Sequence, residues 1–260
     1  MTSRARTAIC ALLVAAIAVL LYCTYLAYAP IYLVHDEVNF GLTAHAIAHT
    51  GRDLNGQRLP LLFHIVMRSG QYFTTPVVIY TTALFLRFLP LTEWAIRFPT
   101  ALVGALNVVL LFFIARKLFA RDALAVCAAL CLALAPAHFI HARQAVDPIY
   151  SVFFTLVWLY CLTMALETTS LGWLAAATTA LSVGVFSYLA SMLMMPLYFA
   201  MTLAVLWRSS AHRRAYLVAA AGFSWPLVVL LFWFLADRAR LTELLRFYSV
   251  SDASRIARQP

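Results

Sequence analysis

The chain has 260 residues, of which 64% are hydrophobic and only 11% are charged. A soluble domain has roughly 45–50% apolar and roughly 25% charged residues, so this composition excludes an ordinary water-soluble protein. The formal net charge is +9. No basic stripe interleaved with stacking aromatic residues occurs, so we interpret the charge as a signal of membrane topology and expect no nucleic-acid partner.

The apolar residues form continuous runs that are long enough to cross a bilayer. In lipid, every backbone polar group must be paired within the protein, so only helices or closed barrels can cross. The runs are rich in Leu, Ala and Val and do not alternate with polar residues, which favours helices. We therefore predict an all-α integral membrane protein with about seven transmembrane helices. The predicted spans are Ala8–Ala29, Phe98–Ala115, Ala123–Ile140, Ile149–Leu166, Trp173–Ala190, Met192–Trp207 and Tyr216–Ala236.

The first run could also be a cleaved signal peptide, because Ala27-Tyr28-Ala29 resembles a cleavage site. The run is longer than a usual signal-peptide core, and Pro30 would follow the scissile bond. We expect a retained membrane anchor.

The longest loop covers residues 30–97 and contains amphipathic juxtamembrane helices. Val38–Thr50 has a helical pattern with Gly51 as a stop signal, and Asn55-Gly56 predicts a turn in a small hairpin. The apolar stretch Pro76–Leu89 is too short to span the bilayer and fits an interfacial or re-entrant helix.

The short basic loops fall on one side of this topology, and the positive-inside rule places that side in the cytoplasm. These loops contain Arg4, Arg6, Arg116, Lys117, Arg121, Arg208, Arg213 and Arg214. The amino terminus is then cytoplasmic, and the first loop and the tail are outside.

We expect one transmembrane catalytic module over residues 1–236, in a bacterial inner or cell membrane. Residues 237–260 would be an outer tail that begins a truncated second outer loop.

Asp36-Glu37 is the strongest local signal for chemistry. The two carboxylates follow the first span and begin the predicted helix, where the helix dipole stabilises negative charge. A solvated helix cap is one interpretation. The other is a functional pair at the membrane surface, with Arg143 and Arg97 as cationic counterparts.

Arg143 and Asp147 lie in a short loop at the same predicted membrane face. Ionisable residues so close to the hydrocarbon are costly unless they are paired or functional. They could form an ion pair at the start of a helix, or Arg143 could bind a phosphate through its paired N–H donors. A hard cation held by Asp36 or Glu37 together with a substrate phosphate is a further possibility.

The order of the short motifs resembles the GT-C superfamily of membrane glycosyltransferases. The most similar group contains the protein O-mannosyltransferases and the lipid A aminoarabinose transferases, families 39 and 83. The motifs are His35-Asp36-Glu37, Ala95-Ile96-Arg97-Phe98-Pro99, Ala115-Arg116-Lys117, Ala142-Arg143 with Asp147, and the Tyr188 to Pro196 junction.

This resemblance implies transfer of a sugar from a polyprenyl-phosphate donor to a lipid, glycan or protein hydroxyl on the outer face. A phosphate leaving group needs no strong acid, whereas an acceptor hydroxyl needs a base, and one carboxylate opposite the leaving group suits inversion. Asp36 would be the base, with Glu37 orienting the acceptor or helping to hold a divalent cation. The implied donor-phosphate and substrate-binding residues are Arg143, Arg97, Asp147, His35 and Tyr188.

Two other classes remain open from the sequence. A transporter or flippase would place ionisable residues inside the spans, often with inverted repeats or broken helices. A non-catalytic membrane subunit is the third possibility. The candidate chemical groups here lie in outer loops, which favours the enzyme.

Overall fold

The computed structural model describes residues 3–67, 70–236 and 242. Within those ranges, ten helices and one antiparallel hairpin make up the regular structure. In chain order they are α1 (Ser3–Cys23), α2 (His35–Thr50), β1 (Phe63–Met67), β2 (Gly70–Thr74), α3 (Pro76–Leu86), α4 (Glu93–Phe119), α5 (Asp122–Leu134), α6 (Pro136–Ala142), α7 (Pro148–Thr168), α8 (Leu171–Gly184), α9 (Ser191–Arg208) and α10 (Arg213–Ala236).

The predicted all-α membrane fold is confirmed. By length and composition, five of the described helices can cross a membrane, or six if α5 and α6 form one broken span. The sequence predicted about seven spans, and the difference between seven and six lies in the fifth predicted span. That segment is a helix of 14 residues that ends at Gly184. The Ser187 hydroxyl donates to the Gly184 carbonyl at 2.6 Å and braces the turn that follows.

The third predicted span is not one straight helix. It consists of α5 and α6, which meet at an angle of 65°. Pro136 is the first residue of α6. Proline has no N–H to donate to the preceding turn, and its ring clashes with that turn, so the helix breaks there.

The loop after α1 begins earlier than expected, because α1 ends at Cys23 and residues 24–32 form turns. The predicted turn at Asn55-Gly56 is present, and Gly56 has a φ of 80°. Only an isolated bridge between Arg52 and Arg58 flanks it. The hairpin lies further along the chain, where Phe63 pairs with Thr74 and Met67 pairs with Gly70. Helix α3 has 11 residues, as its short apolar stretch predicted.

Ion pairs and hydrogen bonds show which helix termini lie together. At one end, Asp122 accepts from Arg6 and Arg116, and Lys117 pairs with Glu167. We call this the basic end, and it contains the 208–215 connection. The opposite end, called the loop end, contains residues 24–37, 143–147 and 185–190. All the predicted cytoplasmic basic loops that the structure describes therefore lie at one end of the bundle.

Two apolar clusters fill the bundle. The first joins α1 to α6 with the start of α7, and the second joins the rest of α7 to α8, α9 and α10. Two glycines allow close approach near the loop end. A Cβ at Gly41 would meet Ile96 Cδ1 at 2.7 Å, and one at Gly104 would meet the Ala142 Cβ at 2.6 Å. These contacts hold α2 and α6 tightly against α4.

Candidate active site

The adjacent carboxylates Asp36 and Glu37 have opposite environments in the first turn of α2. Asp36 is exposed, whereas Glu37 has no solvent-exposed surface. Successive helical residues point about 100° apart, so one of two neighbours can face the bundle while the other faces outward. The pair is therefore divided into a buried group and an accessible group.

Glu37 accepts four hydrogen bonds. Its Oε1 accepts from Arg97 Nε at 2.8 Å and from the Ala145 N–H at 2.8 Å. Its Oε2 accepts from Arg97 Nη2 at 3.0 Å and from the Val34 N–H at 3.0 Å. The last bond is the helix-capping contact expected of a glutamate at the third helical position. Since a carboxylate has about four lone-pair sites, none is left for an acceptor or a cation.

Arg97 is also completely buried, and all five of its N–H groups are engaged. Besides the two bonds to Glu37, Nη1 donates to the carbonyls of Leu26 and Pro30 at 3.1 and 2.7 Å. Nη2 donates to the Tyr32 carbonyl at 2.9 Å. A guanidinium has five N–H donors, so this set leaves none for a donor phosphate. The geometry therefore favours a role for Arg97 and Glu37 in positioning the first turn of α2. It does not favour the direct substrate contacts that the sequence predicted for them.

Arg143 holds the same loop from its other side. It is 8% exposed, and its Nη1 donates to Leu21 and Tyr22 while its Nη2 donates to Thr24 and Ala29, all through carbonyls at 2.7–3.2 Å. The Phe139 ring lies 5.6 Å from the guanidinium carbon. Burial lowers the pKa of Arg143, and the positive charge of Arg97 lowers it further. Among the described residues, the Nε–H of Arg143 has no partner.

The two arginines together fix the connection between α1 and α2. Their side chains donate to seven backbone carbonyls between Leu21 and Tyr32. Two buried guanidinium groups against one buried carboxylate leave a net positive charge behind this loop. Such a charge favours an anion at the loop end.

Asp147 lies near Asp36 in this cluster. It is the N-cap residue of α7 and is partly buried. Burial raises its pKa to about 6; the Asp36 charge adds to the rise, and His141 opposes it. Asp36 and Asp147, both predicted site residues, are therefore close enough for their charges to interact. A pair of carboxylates there can accept protons from hydroxyl groups or orient them.

His35 and Tyr188 have less direct relations to this pair. The Asn39 amide lies 2.8 Å from His35 Nδ1, on the exposed side of α2. Tyr188 lies in the turn between α8 and α9, and its hydroxyl has no partner among the residues that the structure describes. That turn reaches the loop end through the Val77 N–H, which donates to the Phe186 carbonyl at 3.4 Å.

A buried polar cluster beneath the site was missed by sequence analysis. The Tyr22 hydroxyl donates to the Ala133 carbonyl at 3.1 Å and lies 3.0 Å from His138 Nδ1. The Asn107 amide lies 3.4 Å from His138 Nε2, and it donates to the Ile149 carbonyl in the first turn of α7 at 3.1 Å. The cluster thus links the broken helix to the turn that follows Asp147. Polar residues inside predicted spans were the signal that could have identified it.

No metal centre is evident in the described part of the chain, where no group of three or more His, Cys, Asp or Glu residues comes together. Glu37, one of the two expected cation ligands, has all its oxygen sites occupied by N–H donors. The predicted tail, 237–260, lies outside the described residues except for Thr242.

Comparison with known proteins bears on both the family and the fold. The model of a family described as dolichyl-phosphate-mannose-protein mannosyltransferase matches residues 74–233, more than half of the chain. The fold is similar to that of the S. cerevisiae protein O-mannosyltransferase Pmt1–Pmt2 complex bound to the sugar donor, with a TM-score of 0.66 and 19% identity. The match covers 91% of this chain and 34% of that chain, so this chain spans about a third of its length. No curated protein sequence matches. The resemblance to GT-C glycosyltransferases is confirmed.

Proposed function

Because this chain belongs to the dolichyl-phosphate-mannose-protein mannosyltransferase family, we propose that it transfers a sugar from a polyprenyl-phosphate donor to a hydroxyl acceptor. The acceptor class is a lipid, a glycan or a protein. The donor lies in the bilayer, and the accessible carboxylates lie at one end of the helical bundle. We place the reaction at this loop end, on the outer face of a cell membrane, with the basic end in the cytoplasm.

One observation carries the proposal: Asp36 is accessible, while its neighbour Glu37 is anchored by four hydrogen bonds. The anchor fixes the first turn of α2 and so fixes the position of Asp36. A base that is held in place by a buried neighbour is preorganised for its reaction.

In the proposed step, Asp36 accepts the proton of the acceptor hydroxyl as its oxygen forms a bond to the anomeric carbon. The bond from that carbon to the phosphate oxygen breaks, and polyprenyl phosphate leaves with the bonding electron pair. Attack on the face opposite the phosphate inverts the anomeric configuration. Asp147 and His35 bind substrate hydroxyl groups beside Asp36.

The departing phosphate needs positive charge. In the proposal, Arg143 supplies it through its charge and through the Nε–H that no described residue engages, while the buried Arg97 contributes through its field. Electrostatic stabilisation of this kind acts strongly where water is excluded. A divalent cation between Asp36 and the phosphate stays a prediction, and transfer measured with and without a chelator tests it.

The test uses the chain in lipid vesicles with a polyprenyl-phosphate sugar that carries a labelled sugar, and it follows release of polyprenyl phosphate. We expect Asp36→Asn to lower the rate at least about 100-fold, because removal of a general base typically costs about 10²–10⁴-fold. Glu93→Gln, which changes an exposed carboxylate in the first turn of α4 outside the site, is the activity control. Movement of the intact donor across the membrane without bond cleavage would instead indicate a flippase. Normal binding of donor without either activity would indicate a non-catalytic subunit.

A further inference from the structure

A cavity at the basic end is separate from the candidate active site. It has a volume of about 940 Å³ and lies among α7, α8, α9 and α10. Helix α7 has 21 residues, and at about 1.5 Å per residue its two ends are about 30 Å apart. The cavity therefore lies across the bundle from Asp36 and takes no part in the proposed transfer.

The inner walls of this cavity are apolar. They include Leu162, Leu174 and Leu206, which belong to the second core cluster and are 3–5% exposed. Its volume falls within the usual range for a small-molecule site, about 300–1,000 Å³. Apolar walls of this size suit a hydrocarbon chain and offer little to a free inorganic anion.

The rim of the cavity is basic. His212, Arg213 and Arg214 line it and are exposed. Neither arginine has an ion pair or a side-chain hydrogen bond within the described residues. The acidic residue at the end of α7, Glu167, is already paired with Lys117. The positive charge at the rim is therefore not neutralised by the described part of the chain.

Two helix N-termini add to this positive charge. The N-cap residue of α8, Ser170, lines the cavity and makes no side-chain capping bond. Helix α10 begins at Arg213 on the same rim. The first N–H groups of a helix have no partner within it and favour an anion, and here they combine with two arginines.

We propose that this cavity binds an anionic phospholipid, with its phosphate at the basic rim and an acyl chain against the leucine walls. The proposal rests on the basic rim and the apolar walls together, because a free phosphate would contact only the rim and a neutral lipid would contact only the walls. Basic pockets between transmembrane helices bind anionic lipid headgroups by the same physical complementarity.

The experiment is native mass spectrometry of the purified chain in detergent with added phosphatidylglycerol or phosphatidylcholine of identical acyl chains. We expect at least about tenfold greater retention of phosphatidylglycerol. Arg213→Gln with Arg214→Gln should lower that retention by about fivefold for each arginine. Arg121→Gln removes the same charge at the same end but outside the cavity, and it should leave retention unchanged.

A steric variant tests the apolar part separately. Leu166 lines the cavity and is 45% exposed, so Leu166→Trp should block the acyl chain without changing any charge. We expect it to lower retention of phosphatidylglycerol by at least about fivefold. Thermal midpoints in lipid-free detergent would show that all variants fold.

Several outcomes would overturn the proposal. Equal retention of the two lipids would exclude a headgroup site, and equal loss in Arg121→Gln would reduce it to a general charge effect. Inorganic phosphate binding with the same dependence on Arg213 and Arg214, without retained lipid, would indicate a free-anion site. Failure of Leu166→Trp to affect retention would exclude the apolar walls as the acyl-chain site.

Discussion

The two ends of the bundle use charged residues in opposite ways. At the loop end, Glu37 and Arg97 are fully buried, and every hydrogen-bonding site of both side chains is engaged within the protein. At the basic end, Arg6 is 63% exposed where it pairs with Asp122, and Glu167 is 52% exposed where it pairs with Lys117. Each of these two basic-end pairs therefore keeps one partner exposed to solvent, whereas the Glu37–Arg97 pair keeps none.

This difference has an energetic meaning. An exposed ion pair is weakened by water and by the entropy of long side chains, so its net contribution is small. Two charges buried together have no water to replace a lost partner, so removing one of them is costly. The comparison is tested by removing one member of a pair at each end.

Arg97→Met should have the largest effect on stability. It leaves the Glu37 carboxylate buried without its cation, and three backbone carbonyls lose their hydrogen-bond donor. We expect a loss of about 3–5 kcal/mol in the free energy of unfolding, measured by reversible denaturation in mixed micelles.

Adding Glu37→Gln to Arg97→Met gives the matched test of the buried pair. The double variant removes the uncompensated charge, so it should be more stable than Arg97→Met alone by about 1–3 kcal/mol. A double variant that is less stable than Arg97→Met would show that the ion pair is not the source of the cost.

Asp147 should give an intermediate effect that depends on pH. Its pKa of about 6 in the folded protein is above its ordinary value of about 4, so the folded state binds this proton more tightly than the unfolded state. That contribution to stability is complete below about pH 4 and is lost as the pH rises through about 6.

Asp147→Asn resembles the protonated side chain at every pH. It should therefore match the wild type at pH 4 and be more stable at pH 7.5, by on the order of 1 kcal/mol after allowance for partial exposure. Denaturation midpoints of both proteins across this range measure the difference. A difference that does not change with pH would contradict the raised pKa.

The smallest effect is expected at the basic end. Lys117→Gln removes the partner of Glu167, and we expect a change of at most about 1 kcal/mol, with less change at high salt. The same denaturation assay measures it. A loss as large as that of Arg97→Met would remove the contrast between the two ends.

Much of the fold could be predicted from local sequence patterns. The apolar runs gave the helices, and the basic loops correctly shared one end. Pro136 indicated a break in the third span, but it lies within an apolar run that has the length and composition of one continuous helix. The shortened α8 could not be predicted from composition, since its apolar run continues beyond Gly184.

It was harder to predict which residues of the candidate site are buried anchors and which are accessible to substrate. Asp36 and Glu37 are adjacent, and only the rotation of α2 about its own axis, relative to α4, decides which of the two is buried. Glu37 and Arg97 are 60 positions apart, so their pairing depends on packing between distant elements. Arg143 was expected to face a phosphate, whereas four of its N–H donors bind carbonyls of a loop that no sequence pattern describes.

The most direct test of this account compares Asp36→Asn with Glu37→Gln, measuring both unfolding free energy and sugar transfer for each. Asp36→Asn should change stability by less than about 0.5 kcal/mol, as exposed substitutions usually do, while transfer falls at least about 100-fold. Glu37→Gln should lower stability by about 3 kcal/mol, because Arg97 stays buried without its anion. Wild-type transfer by Asp36→Asn, or unchanged stability in Glu37→Gln, would contradict the separation of an anchoring carboxylate from a reactive one.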